Sequence, residues 1–305
     1  MSGAVDHARF VASLDAGTRA RLTRPSDRAG LLHLAGHLGL LLVLGGLIVA
    51  RVPLWPLLLL PYGVALIFLF TLEHEATHAT PFASGWMNML AGHLTGLLLI
   101  LPFQWFRLFH LAHHRHTNDP RHDPELATPK PEGWRAFALH VSGLPVWWAQ
   151  LRQLVTNALG RTGADFVPDR ARPRVRREAR VMLAVYALAL SSLWLSDMLL
   201  WLWIVPALIG QPFLRVYLLA EHGRCPTVAN MFANSRTTLT NRLVRFVAWN
   251  MPYHAEHHAW PTVPFHALPR VHALARDHLQ VTSRGYARFA GEYTAGFDAD
   301  PRPEH

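Results

Sequence analysis

Residues 54–78 read LWPLLLLPYGVALIFLFTLEHEATH, a nearly continuous apolar run that ends in two histidines four apart, His74 and His78. The part from 54 to 72 has about the length that crosses the roughly 30 Å of bilayer hydrocarbon. Residues four apart on a helix share a face, so both imidazoles can turn toward one metal just where the apolar surface stops. The chain repeats the device in His110-Leu111-Ala112-His113-His114 and His254-Ala255-Glu256-His257-His258. In each of these the first and fourth residues share a face and the adjacent fifth swings to a neighbouring position, so one cluster can serve two metals. A lone histidine is usually a surface or satisfied core residue; three clusters at ligand spacing are a different case. Neutral imidazole is the commonest metal ligand. Eight of them exceed what one zinc takes and suit two irons that keep positions open for O2.

The remaining apolar runs extend this reading. Residues 31–50 pair with 54–72 across Pro53 and Pro56, and 181–197 pair with 199–219 across Ser196-Asp197. The fold class expected is an all-α integral membrane protein with about four transmembrane helices in two hairpins, capped by a cytoplasmic histidine-rich helical layer. The stretch Trp86 to Phe103 is apolar enough to span, but crossing would put the first two clusters on opposite faces. It is therefore expected to be a re-entrant or interfacial helix pair, broken near Gly92 or Gly96 and ended by Pro102, with His93 a polar or interfacial residue. Trp55, Trp86, Trp105, Trp147, Trp148, Trp201 and Trp203 suit belts at the membrane interface. One domain is expected over 31–290, preceded by a polar segment 1–30 that lacks signal-peptide features, and followed by a tail, 291–305.

Composition agrees: 51% of residues are hydrophobic and 16% charged, against about a quarter charged in soluble proteins. The net charge of +9 and pI near 10.7 come without a nucleic-acid-binding motif. Basic residues concentrate outside the two turns, notably at Arg170, Arg172, Arg174, Arg176, Arg177 and Arg180. Positive-inside bias then places both termini and the histidines in the cytoplasm, at the inner membrane in a bacterium. That face would meet anionic lipid headgroups and an acidic electron carrier. One cysteine, Cys225, excludes an internal disulfide framework and a cysteine-ligated iron–sulfur cluster.

On the three motifs the chain resembles the membrane fatty-acid desaturase and hydroxylase family, and the third region, Tyr253 to Pro264 followed by Leu268-Pro269, is similar to the sphingolipid delta-4 desaturase branch. The likeness covers roughly residues 70 to 280, and Ala220-Glu221-His222 resembles that family's additional single-histidine site. The resemblance implies nine metal ligands: His74, His78, His110, His113, His114, His222, His254, His257 and His258. It also implies two iron ions, an acyl lipid substrate, O2, and a separate ferredoxin- or cytochrome-type donor with its reductase, since neither a haem domain nor a flavin fingerprint is visible.

Glu75, Asp119, Asp123, Glu221 and Glu256 are candidates to orient ligating imidazoles through their outer N–H groups. His116 is a candidate for an outer or headgroup role, and Asn250 for a water near a metal or a cap. His122, His140, His266, His272 and His278 are given surface or interface positions. The function expected is oxygen-dependent desaturation of an acyl lipid, with hydroxylation or ketone formation as the near alternative. Two remoter readings are an intramembrane zinc protease, because His74 to His78 also fits HExxH, and a metal transporter.

Overall fold

The computed structural model describes residues 5–297, so the end of the expected C-terminal tail, residues 298–305, lies outside the described residues. Among the described residues, three helical stretches are long and apolar enough to cross a membrane: Ala16–Val49, Trp55–Thr77 and Leu200–His222. The first is carried by the helix Asp27–Val49, whose start is capped by the Ser26 hydroxyl. Leu32, Leu42 and Val43 point outward from it, as a lipid-facing surface requires. Its inner face is tied down by two histidines. His37 is buried, with Nε2 on the Ala65 carbonyl at 2.8 Å and Nδ1 accepting from the Trp249 indole, and His33 reaches the Phe246 carbonyl.

The second and third stretches cross at glycines. A Cβ on Gly63 would stand 2.3 Å from the Pro206 carbonyl oxygen, and one on Gly210 would stand 2.2 Å from the Gly63 carbonyl oxygen. Only glycine permits backbones this close. Both stretches run from one end of the molecule, where Arg51 pairs with Asp197 at 2.8 Å and Trp55 meets Trp201 edge-on, to the end that carries His74, His78 and His222.

Three expectations are corrected. The span placed at 181–197 belongs to a helix that begins earlier, at Arg172, and stops at Ser191; its arginine-bearing first half does not suit hydrocarbon, where such charges are costly. It packs Val175, Ala179 and Met182 inward, and Tyr186 donates to the Leu97 carbonyl. The stretch 86–103 is unbroken at both glycines. The helix Gly85–Leu99 ends at Ile100, which is left-handed, and Phe103–His116 departs at 101°. Gly92 and Gly96 serve close packing instead: added Cβ atoms would meet the Phe103 ring at 2.4 Å and the Leu101 carbonyl at 2.4 Å. Finally, the chain is not wholly helical, because Thr237–Leu239 and Thr282–Arg284 pair as a small parallel sheet.

Candidate metal centre

Four segments deliver the histidines. The helix Leu69–Thr77 ends on His78 and supplies His74. The last two turns of Phe103–His116 present His110, His113 and His114. The long helix Val205–His222 contributes its final residue. The short helix His254–Ala259, entered through left-handed Trp249 and Asn250, brings His254, His257 and His258. All nine converge, and they fall into two groups. His74, His78, His110, His114 and His257 each offer a ring nitrogen within 4.8 Å of the others, and so do His113, His222 and His258. His254 joins the second group, its Nε2 lying 3.0 Å from that of His222.

In the second group the ring orientations are set from outside. His113 Nδ1 donates to the buried Asp123 carboxylate at 2.8 Å, and His222 Nδ1 donates to the Asn234 carbonyl at 3.1 Å. His258 Nδ1 faces Thr117 Oγ1 at 3.1 Å, while that hydroxyl donates to the His113 carbonyl. His254 Nδ1 faces Glu221 at 3.1 Å. The contacts of His113, His222 and His258 place the proton on Nδ1 and leave Nε2 as a bare acceptor, the form that binds metal, while His254 Nδ1 is near Glu221 without a hydrogen bond. Yet Nε2 of His113 stands 3.2 Å from that of His222. Facing lone pairs at this distance repel unless a cation lies among them.

The first group makes the same case by a different observation. Both ring nitrogens of His74, His114 and His257 are buried with no hydrogen-bond partner, and His78 Nε2 meets His110 Nε2 at 2.9 Å. Buried polar atoms are nearly always satisfied, so a concentration of orphans marks a missing partner. Burial, and then the neighbouring rings, hold His254, His257 and His258 far below the usual histidine range. They are neutral donors. An all-imidazole set of this kind fits two transition-metal ions.

The outer carboxylates behave unequally. Asp123 and Glu221 face rings of the second group, and Glu75 stands 3.6 Å from His257 Nδ1 while accepting from the Phe265 amide and the Thr80 hydroxyl. Glu256 does not orient an imidazole of either group: it takes the Thr237 hydroxyl and His272, because the helix turns it to the opposite side. His272 is therefore a buried-network residue stacked on Tyr253, not a surface one. Asp119 and His116, both half-buried, form a separate group with the exposed His122. Asn250 holds the Phe265 carbonyl and serves the turn. His93 pairs with Glu178 on the far side of Gly85–Leu99. Thr117 and Asn234 escaped sequence reasoning altogether, as did Glu125, whose carboxylate reaches to 3.4 Å of His113 Nε2.

A cavity of about 320 Å³ opens onto His74, His110, His113 and His254. Phe70, Leu101, Phe106, Phe109 and Leu218 form its apolar wall. Trp105, partly buried, lines it too, stacked on Phe109.

The pattern of the fatty acid desaturase family matches residues 50–289. Among curated relatives, the dihydrorhizobitoxine desaturase of Bradyrhizobium elkanii is 27% identical over 82% of this chain and 74% of its own length. The sn-1 oleoyl-lipid 12-desaturase of a Picosynechococcus species is 34% identical over 28% of this chain, which spans only 26% of that protein's length. The zeaxanthin 4-ketolase of Chlamydomonas reinhardtii is 27% identical over 68% of this chain and 42% of its own length.

Proposed function

The chain belongs to the fatty acid desaturase family, and from that premise we propose that it oxidises an unactivated C–H bond of an acyl substrate with O2, introducing a C=C bond. The observation that carries this reading is the pair of buried histidine groups, with unpartnered ring nitrogens on His74, His114 and His257, at the end of an apolar cavity. Two irons held there, one by His74, His78, His110, His114 and His257 and the other by His113, His222, His254 and His258, would supply the redox chemistry. The protein's own residues do the rest. Asp123, Asn234 and Thr117 hold three rings of the second group by their outer nitrogens, and Glu221 lies 3.1 Å from that of His254. Phe70, Phe106 and Leu218 line the acyl path and keep water from the reacting carbon. Desaturation takes two hydrogens from the substrate and reduces O2 to two waters, so two further electrons and two protons must come from a separate donor protein and its reductase.

The likeness to a ketolase supports oxygen insertion as the second reading. Two other readings lose ground. Glu75 would be the general base of an HExxH protease, but its Oε2 is taken by the Phe265 amide and the Thr80 hydroxyl, and the motif leaves the other histidines of the two groups unused. A transport site is expected near mid-membrane between spans, whereas these histidines gather at helix ends. The arginine distribution supports a cytoplasmic metal site.

Lipid extracts from cells with and without the gene, compared by mass spectrometry, test the reaction: loss of two hydrogens marks desaturation and gain of one oxygen marks insertion. Metal analysis tests the centre. Full activity with a single zinc would sink the di-iron reading.

A further inference from the structure

One wall of the cavity carries a cation without a direct ion pair among the described residues. Arg215 sits within the apolar helix Val205–His222, is 9% exposed, and lines the cavity that opens onto the histidines. Its Nε is buried without a partner, and no carboxylate lies within ion-pair distance of its guanidinium among the described residues. The two acids that share the cavity, Glu221 and Glu125, act on the guanidinium only from beyond ion-pair distance, and Glu125 also faces Lys130 at 4.0 Å. The Trp105 indole N–H, on the same cavity, is likewise buried with no acceptor. His140 takes only the Arg215 backbone carbonyl, at 3.4 Å. A buried, unpaired guanidinium is costly in an apolar helix. A carboxylate, which matches the guanidinium fork in two parallel hydrogen bonds, removes that cost.

We propose that the substrate is a single-chain acid whose carboxylate enters the cavity and is held by Arg215, with the Trp105 N–H as a second donor. The hydrocarbon then lies along Phe70, Phe106 and Leu218 toward His74, His110 and His254. The volume, about 320 Å³, is at the small end for ligand pockets, which suits one short chain and excludes a diacyl lipid with its head inside. His222 is seven positions beyond Arg215, about 10 Å along the helix axis, so the oxidised carbon is within about eight bonds of the carboxylate. Arg215 is thereby a specificity-determining residue. The proposal rests on the oxidation reading for the site's chemistry, but its test does not.

Binding of decanoate, methyl decanoate and decanol to the full chain in zwitterionic nanodiscs reads the proposal without turnover. Decanoate should bind about 10- to 100-fold more tightly than its ester, the worth of hydrogen bonds to a charged group. Arg215→Gln should bring the ratio near one, and Arg215→Lys should keep part of it. Equal binding of acid and ester by the wild-type chain would overturn the proposal, as would an undiminished ratio in Arg215→Gln. If the glutamine variant does not fold, the wild-type ratio and the lysine variant decide. Tight acid binding with no oxidised product after supply of iron, donor and O2 defeats the oxidation reading and spares this one. Oxidation of phosphatidylglycerol chains without any acid preference does the reverse.

Discussion

Replacing Asp123 by Asn isolates the contribution of one outer carboxylate to metal binding. In the native chain Asp123 Oδ1 accepts from His113 Nδ1 at 2.8 Å and from the Glu125 amide at 2.9 Å, while Oδ2 accepts from the Asn118 amide at 2.8 Å. All of these donors point at one carboxylate, so an amide NH2 in either position must face an N–H. Either the His113 ring loses its anionic anchor or the Asn118 turn does. Loss of an outer partner of a ligating histidine typically weakens metal binding about 10- to 100-fold, or roughly 1.4–2.7 kcal/mol. The loss should fall on the iron held by His113, His222 and His258, leaving the other in place. Chelator competition, followed by iron content, measures it, with a melting curve to show that the variant is folded. Distance sets a rank order: Glu221→Gln, removing a 3.1 Å contact, should cost less, and Glu75→Gln, at 3.6 Å from His257, less again. Native-like affinity in folded Asp123→Asn, or equal loss from both groups, would refute the assignment of the two sites.

The helix crossing predicts that Gly210→Leu and Gly63→Leu fail to accumulate as folded protein, since the contacts at 2.2 and 2.3 Å are to backbone that cannot yield, whereas Gly46→Ala, with open space around it, should be neutral or stabilising by up to about 1 kcal/mol; detergent melting curves distinguish them. His257→Ala and His222→Ala should each reduce bound iron, while His122→Ala, exposed on Asp119, should leave iron content unchanged. Burial pushes the Cys225 thiol above its ordinary range, so little thiolate exists at neutral pH and maleimide labelling should be slower than that of a free thiol, accelerating as pH rises through the raised value; fast labelling at neutral pH contradicts this. Reporter insertions near residues 53 and 198 should be found on one face of the membrane and those near 120 and 175 on the other. Placing 80 and 112 on opposite faces is incompatible with a shared metal site.

What the chain determines by itself is local. The spacing of His74 and His78, and of the residues within each later cluster, follows from helix geometry, and the length of the apolar runs follows from bilayer thickness. Those two regularities were enough to expect a helical membrane protein with its histidines gathered at helix ends. The partition into two groups is not local. It depends on a ring nitrogen of His257 falling near those of His74 and His78 and one of His258 near those of His113 and His222, which only the packing of four segments far apart in sequence decides. The same holds for the outer partners: Asp123 is ten residues from His113 but Thr117 reaches His258 across 141 positions. Glu256 sits in the motif and faces away from it, since a helix presents successive residues about 100° apart and only the surroundings say which side is the site. The break at Ile100 instead of Gly92 or Gly96 has the same cause. A glycine in an apolar helix permits either a bend or a close neighbour, and the Phe103 ring and Leu101 carbonyl made it the second.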